Sequence, residues 1–295
     1  MRDAFDTVNP IVAFVFFAYV LIMPMLLMHP ALLLISLICA LIWLFMLRGK
    51  KAWDYILKFV LPIMLLTAII NPLFNHAGIT TLFYIRHNPV TLESIVYGIS
   101  SAAMLASVVL WFACFNRIFT SDKTVYLLGR FAPGLSLVLS MALRFVPLFS
   151  SQAKRIAAAQ RGAGMGVGGG SIIARARNGL AILSSLITWA LESSVTTADS
   201  MRSRGYGLHP RRSFANYRFD GRDALVGGLL SLGMLAAALA SICKIVNIRF
   251  FPSYKSNEVT PLFIAFLVCY ALTLLIPVIM NSIEAYRWHL SRSKL

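Results

Sequence analysis

The residues of this chain best suited to chemistry are arginines set among small residues at the ends of two helical patterns. One ending is Ala159-Gln160-Arg161-Gly162, and the other is Met201-Arg202-Ser203-Arg204-Gly205-Tyr206. A guanidinium is a planar, permanently charged fork of N–H donors that pairs in bidentate fashion with carboxylates or phosphates. Beside a small residue and followed by glycine, it is left exposed at a helix tip. Three uses are compatible with that placement. The charge can simply complement the negative end of the helix dipole, it can bind anionic lipid headgroups, or it can dock into an acidic groove on a partner protein. The recurrence of x-Arg-Gly, as Gln160-Arg161-Gly162 and Ser203-Arg204-Gly205, favours the third.

Other chemistries lack the residues they need. The histidines (His29, His76, His87, His209 and His289) are scattered without metal-ligand spacing. The cysteines (Cys39, Cys114, Cys243 and Cys269) lie inside or at the edge of apolar runs and read as small core residues. Gly164-Met165-Gly166-Val167-Gly168-Gly169 satisfies G-x-G-x-x-G. No strand precedes it and no βαβ unit surrounds it, so it reads as an elbow between helices, not a dinucleotide loop. The chain contains no G-x-x-x-x-G-K-[ST], no paired-aspartate motif and no G-x-S-x-G. The expectation is a non-catalytic protein with no cofactor and no metal site. The first ten residues, with one arginine and two aspartates, do not read as a cleavable signal peptide.

The elements that must position the arginines are membrane helices. The chain has 295 residues, of which 59% are hydrophobic and 13% charged, against about 25% charged in soluble domains. Apolar runs at Ile11–Met28, Ala31–Leu47, Ile56–Phe74, Glu93–Phe115, Leu225–Val246 and Pro261–Met280 each approach the ~20 residues a bilayer requires. The reading is an all-α polytopic protein with about six transmembrane helices and a cytoplasmic coupling domain of long amphipathic helices. Its regions are 1–115 (about four spans), 116–222 (coupling domain) and 223–295 (about two spans). The charge is lopsided, 27 Lys and Arg against 11 Asp and Glu. In a soluble chain this would suggest nucleic acid; here it reports topology. With the N-terminus inside, 23 of the 27 basic residues fall on the inner side, so both termini and the central region are expected in the cytoplasm. The spans carry no charge near their centres, since Glu93 and Lys244 sit at ends. That argues against ion-coupled transport and for energy delivered from outside the chain.

Residues 116–222 hold fifteen basic residues against Asp122, Glu192, Asp199 and Asp220. A short amphipathic helix is expected over Asp122–Arg130, ended by Pro133-Gly134. A second helical pattern runs from Leu135 to Ala159 past Pro147. Its first part, Leu135–Phe149, is fifteen residues long and contains Arg144, so an interfacial or protein-packed helix is expected. After the glycine-rich 162–170 stretch, Ile172–Arg204 is one long helical pattern. Leu183, Leu186, Ile187, Ala190, Leu191, Val195, Ala198 and Met201 form its apolar stripe. Gly205, Gly207 and Pro210 end it.

With these residues in view, the chain resembles a family. The two cytoplasmic endings, the second within Ala198-Asp199-Ser200-Met201-Arg202-Ser203-Arg204-Gly205-Tyr206-Gly207, are similar to those of the transmembrane T component of energy-coupling factor (ECF) transporters, the EcfT/CbiQ family. So are Asn71-Pro72-Leu73-Phe74-Asn75-His76-Ala77-Gly78, Thr91-Leu92-Glu93-Ser94 with Tyr97-Gly98, and Arg144-Phe145-Val146-Pro147. The resemblance covers about Asn71 to Arg212. It implies the scaffold of an ABC-type importer for vitamins or metal ions in the cell membrane. Two cytoplasmic ATPases would bind the arginine tips, through Gln160, Arg161 and Gly162 and through Ser203, Arg204 and Gly205. A small membrane S component would capture the substrate, and no nucleic acid is involved. The first ending has Gln160 where the family often has alanine. An ordinary ABC permease that binds its own substrate and a polytopic membrane enzyme are the alternatives.

Overall fold

The computed structural model describes residues 4–292 apart from 76, 86–87, 167, 170, 209–216, 218, 244–245, 247, 254 and 257–259. His76, His87, His209, Pro210, Lys244 and the last two residues of the Asn71–Arg212 resemblance therefore lie outside the described residues, as do two positions of the glycine-rich stretch. Its helices are α1 (Pro10–Leu26), α2 (Pro30–Arg48), α3 (Lys51–Phe74), α4 (Leu92–Ile118), α5 (Ser121–Phe131), α6 (Pro133–Gly162), α7 (Ile172–Ser203), α8 (Gly221–Ile242) and α9 (Pro261–Arg292). A 3-10 turn (Ala4–Thr7) and two small antiparallel hairpins, β1 (Thr81–Ile85) with β2 (Asn88–Thr91) and β3 (Ile248–Arg249) with β4 (Lys255–Ser256), complete the elements of the described residues. The chain divides into two compact units, Met1–Thr120 with Tyr217–Leu295, and Ser121–Asn216.

The six expected spans correspond to α1–α4, α8 and α9. Among the described residues, α2, α3, α4, α6, α7, α8 and α9 are long and apolar enough to cross a membrane, and α1 is a shorter apolar helix. The protein is an all-α polytopic membrane protein. One detail bears out the sequence reading and one differs from it. The fifteen-residue stretch at 135–149 is the first half of the 30-residue helix α6, which passes through Pro147 without ending. Proline removes one N–H from the ladder, but a long helix can absorb that loss when the neighbouring turns are intact. The hairpin β1–β2 was not anticipated, although Thr81-Leu82-Phe83-Tyr84-Ile85 is rich in β-branched and aromatic residues. In α3, residues Ile56–Val60 form a wide π turn closed by a Leu61 N–H to Ile56 carbonyl bond. It directly precedes Pro62, whose ring would otherwise crowd the carbonyl four residues back.

The first unit is built on an aromatic core. Phe5, Phe16, Phe17, Trp43 and Trp111 are essentially inaccessible, with ring centroids 5.2 Å apart for Phe5–Phe16, 5.6 Å for Phe17–Trp43 and 5.5 Å for Trp43–Trp111. Inside it the Trp111 indole N–H donates to Ser36 Oγ at 3.0 Å. A buried donor left without such a partner would cost about 1–3 kcal/mol. At one end of this unit, Asp223 accepts from the Asn9 N–H at 3.0 Å and the Asp220 N–H at 3.1 Å, tying the start of α1 to the start of α8.

Helices α3 and α4 approach closely at Gly98. A Cβ there would lie 3.0 Å from the Ala68 carbonyl oxygen and 3.2 Å from both Asn71 Cβ and Pro72 Cδ. Asn71 Nδ2 donates to Ser101 Oγ across the same contact at 2.8 Å. The loop after α3 folds over the start of α4. There Thr91 caps α4 by accepting from the Ser94 N–H at 3.3 Å, and its hydroxyl donates to the Ala77 carbonyl at 3.0 Å. Glu93 is 3% exposed and accepts from the Thr80 N–H at 3.3 Å. The quoted segments Asn71–Gly78 and Thr91–Gly98 thus meet as two sides of one packed corner.

Candidate functional site: two arginine-bearing helix ends

Both candidate tips belong to the second unit. Its helices α5 and α6 are joined by the Ser136 hydroxyl, which donates to the Val125 carbonyl at 2.8 Å. Helices α6 and α7 meet through Phe149 and Trp189, edge to face at 5.8 Å between ring centroids. Ser171 starts α7 by accepting from the Ala174 N–H at 3.3 Å, and Asn178 Nδ2 donates to the Gly166 carbonyl at 3.1 Å. That bond ties the glycine-rich connection to the first turns of α7.

The apolar stripe of α7 divides between two faces. Leu186 and Ala190 are partly covered, together with Ile182 and Trp189 from outside the stripe, whereas Leu183, Ile187, Leu191 and Val195 are 49–65% exposed. None of the residues of α7 is buried. The two sets differ in position because 3.6 residues make a turn, and only one side of the helix can face α6.

Each tip ends in the same backbone device. At the end of α6, the Met165 N–H donates to the Gln160 carbonyl at 2.9 Å and the Gly164 N–H to the Arg161 carbonyl at 3.1 Å. Gly164 takes φ +81°. At the end of α7, the Tyr206 N–H donates to the Met201 carbonyl at 3.0 Å and the Gly205 N–H to the Arg202 carbonyl at 3.0 Å, with Gly205 at φ +82°. This is the paired-bond closure of a Schellman motif, which uses a left-handed residue, usually glycine, to satisfy the last free carbonyls. The residues just before the two glycines match as well: Ala163 has φ −83°, ψ 7° and Arg204 has φ −86°, ψ 10°.

That geometry sets a register different from the x-Arg-Gly spacing. The glycine that turns the chain after α6 is Gly164, not Gly162. Gly162 is still helical, and a Cβ there would meet nothing within 4 Å. Arg161, Gly162, Ser203 and Arg204 are exposed, and Gln160 and Gly205 are partly covered. The Arg161 stem is approached by Gly166, where a Cβ would lie 3.3 Å from Arg161 Cγ. The Ser203 hydroxyl donates to the Ser200 carbonyl at 3.0 Å. The tips therefore present charged forks on closed helix ends. They offer no nucleophile or general base, and among the described residues no group of three or more His, Cys, Asp or Glu side chains could hold a metal ion.

Comparison with known proteins bears on the family. The family CbiQ, described as cobalt transport protein, matches residues 6–214, well over half of the chain. The energy-coupling factor transporter transmembrane protein EcfT of Streptococcus thermophilus is 32% identical over 109 residues, covering 36% of this chain and 41% of that protein. The protein of the same name from Lacticaseibacillus paracasei is 38% identical over 104 residues, 33% of this chain and 38% of its own length. That from Leuconostoc gelidum is 28% identical over 167 residues, 53% of this chain and 62% of its own. The chain thus spans less than two thirds of the length of the relatives it matches. Taken with the polytopic helical fold, the match over residues 6–214 shows that this chain belongs to the CbiQ/EcfT family of transporter membrane proteins.

Proposed function

We propose that the protein is the membrane scaffold of an energy-coupling factor importer, with both termini and the Arg-tipped helices in the cytoplasm. It would transmit motion from two ATPase subunits to a substrate-binding S component that takes up a vitamin or a metal ion. The observation that carries this reading is the pair of exposed arginine-bearing helix ends, closed by one shared backbone motif, in a chain of this family. Gln160, Arg161 and Gly162 form one ATPase contact, and Ser203, Arg204 and Gly205 form the other. A guanidinium fork gains most where a groove supplies a carboxylate shielded from water.

Helices of 30 and 32 residues are about 45–48 Å long at 1.5 Å per residue. Such rods can carry a displacement at the tip deep into a bilayer. Closure of the ATPases on ATP would move the two tips relative to one another, with the 162–170 connection between them as the hinge. The exposed line Leu183, Ile187, Leu191 and Val195 is the surface left for the S component. Hydrolysis takes place on the partners, and this chain is the non-catalytic subunit.

The test is Arg161→Glu combined with Arg204→Glu, followed by co-purification of the ATPases and substrate uptake. Reversed charges in an acidic groove should abolish both. Full assembly and uptake in the double variant would refute the coupling role.

A further inference from the structure

The shared closure of α6 and α7 allows the two tips to be superposed in register, position by position. Gly164 corresponds to Gly205, and Ala163 to Arg204. Gly162 corresponds to Ser203, Arg161 to Arg202, and Gln160 to Met201. Four hydrogen bonds and two glycines with φ of +81° and +82° fix this correspondence. A register that pairs Arg161 with Arg204 would slip the chain by two residues. In a helix that slip rotates the side chain about 200° around the axis.

We propose, building on the ATPase-docking function above, that Arg202 is the residue at the second tip that does what Arg161 does at the first. Arg204 is then an additional contact that the first tip lacks, because Ala163 occupies its position. The backbone carbonyls of Arg161 and Arg202 each accept the turn-closing glycine N–H, and each residue is exposed. Their side chains leave the helix in the same direction relative to the turn that follows. A groove shaped to receive a closed helix end with an arginine on that side reads Arg161 and Arg202 alike. The two tips are consequently unequal. One presents a single guanidinium, and the other presents two on opposite sides of its axis. The second tip suits an ATPase surface with acidic side chains on both flanks of its groove. This inequality gives two different ATPase subunits a basis for choosing between tips that are otherwise closed in the same way.

The experiment uses the intact complex in detergent, with its two ATPase subunits and S component. It measures the amount of each ATPase retained per scaffold chain as salt is raised. Arg202→Gln should weaken retention of one ATPase about tenfold, the loss expected for a charge-assisted pair. Arg161→Gln should do the same to the other. Arg204→Gln should have a smaller effect on the same ATPase as Arg202→Gln. Ala163→Arg is compatible with the backbone, since Arg204 holds the same φ and ψ. It should raise the salt concentration at which the first-tip ATPase is released.

If Arg202→Gln retains both ATPases like the parent while Arg204→Gln loses one, the register assignment is overturned and the docking function stands. Loss of retention in Arg202→Gln that tracks a lowered unfolding temperature overturns it too, because the arginine then serves only the helix end. If the charge-reversed double variant assembles normally, the docking function itself fails, a result distinct from either of these.

Discussion

Gly78 offers the sharpest test of how the packed corner at the start of α4 is held. It has φ +148°, a region that residues with a Cβ avoid. A Cβ added to it would lie 2.6 Å from Glu93 Oε2, 2.6 Å from Thr91 Oγ1 and 2.8 Å from Thr91 Cβ. Neither neighbour is free to move. Thr91 Oγ1 is engaged by both the Ala77 carbonyl and the Ser94 N–H, and the Glu93 carboxylate holds the Thr80 N–H. Gly78→Ala therefore combines backbone strain of about 1–3 kcal/mol with overpacking of about 1–3 kcal/mol. Gly49 provides the control. It has φ +55° and ψ −135°, with nothing within 4 Å of a Cβ, so Gly49→Ala carries backbone strain of about 1–3 kcal/mol but no overpacking. At roughly 2–4 °C per kcal/mol for a chain of this size class, Gly78→Ala should unfold on the order of 10 °C lower. Gly49→Ala should fall by about half of that or less. The assay is thermal unfolding of the purified protein in detergent, followed by tryptophan fluorescence and by loss of the monodisperse gel-filtration peak. Gly78→Ala unfolding no earlier than Gly49→Ala would show that the corner is not packed as described.

Two further outcomes follow from contacts elsewhere in the first unit. Asp223→Ala strands the Asn9 and Asp220 N–H groups that now donate to its carboxylate, and should cost about 2–4 kcal/mol. Asp223→Asn keeps one acceptor and should fall between, in the same unfolding assay. His29, between α1 and α2, accepts the Ala31 N–H on Nδ1 at 3.2 Å, and burial lowers its pKa below the usual histidine value. Because the folded value is the depressed one, the unfolded chain takes up the proton first. The contribution is complete above the unfolded pKa of about 6.5 and is lost as pH falls through it toward the folded value. Unfolding temperature should therefore drop between about pH 7.5 and pH 5, and His29→Asn, which can cap Ala31 without titrating, should flatten that slope. An unchanged slope in His29→Asn would assign the acid sensitivity to other groups.

What the sequence alone determined were the features that short-range chemistry and solvent partition dictate. Long apolar runs have one stable form in a bilayer, so α1–α4 and α8 were legible to within about five residues, and α9 at its start, although it runs on past the expected Met280 to Arg292. The α7 pattern from Ile172 was legible for the same reason of periodicity. Arg161 and Arg204 stood out because an arginine beside glycine at a helix end is a local signal, and the family could be recognised on such local signals. Tertiary structure decided what depends on contacts between distant segments. The corner formed by Gly78, Thr91 and Glu93 needs two stretches brought face to face, and the hairpin β1–β2 between them was outweighed in the sequence by the flanking helices. The split of the α7 stripe into a side toward α6 and an exposed line depends on which side α6 occupies. The helix-end register is likewise fixed by the folded backbone. Both Gly162 and Gly164 follow Arg161 closely enough to end a helix, and only backbone hydrogen bonds show that the chain turns at Gly164, which aligns Arg161 with Arg202.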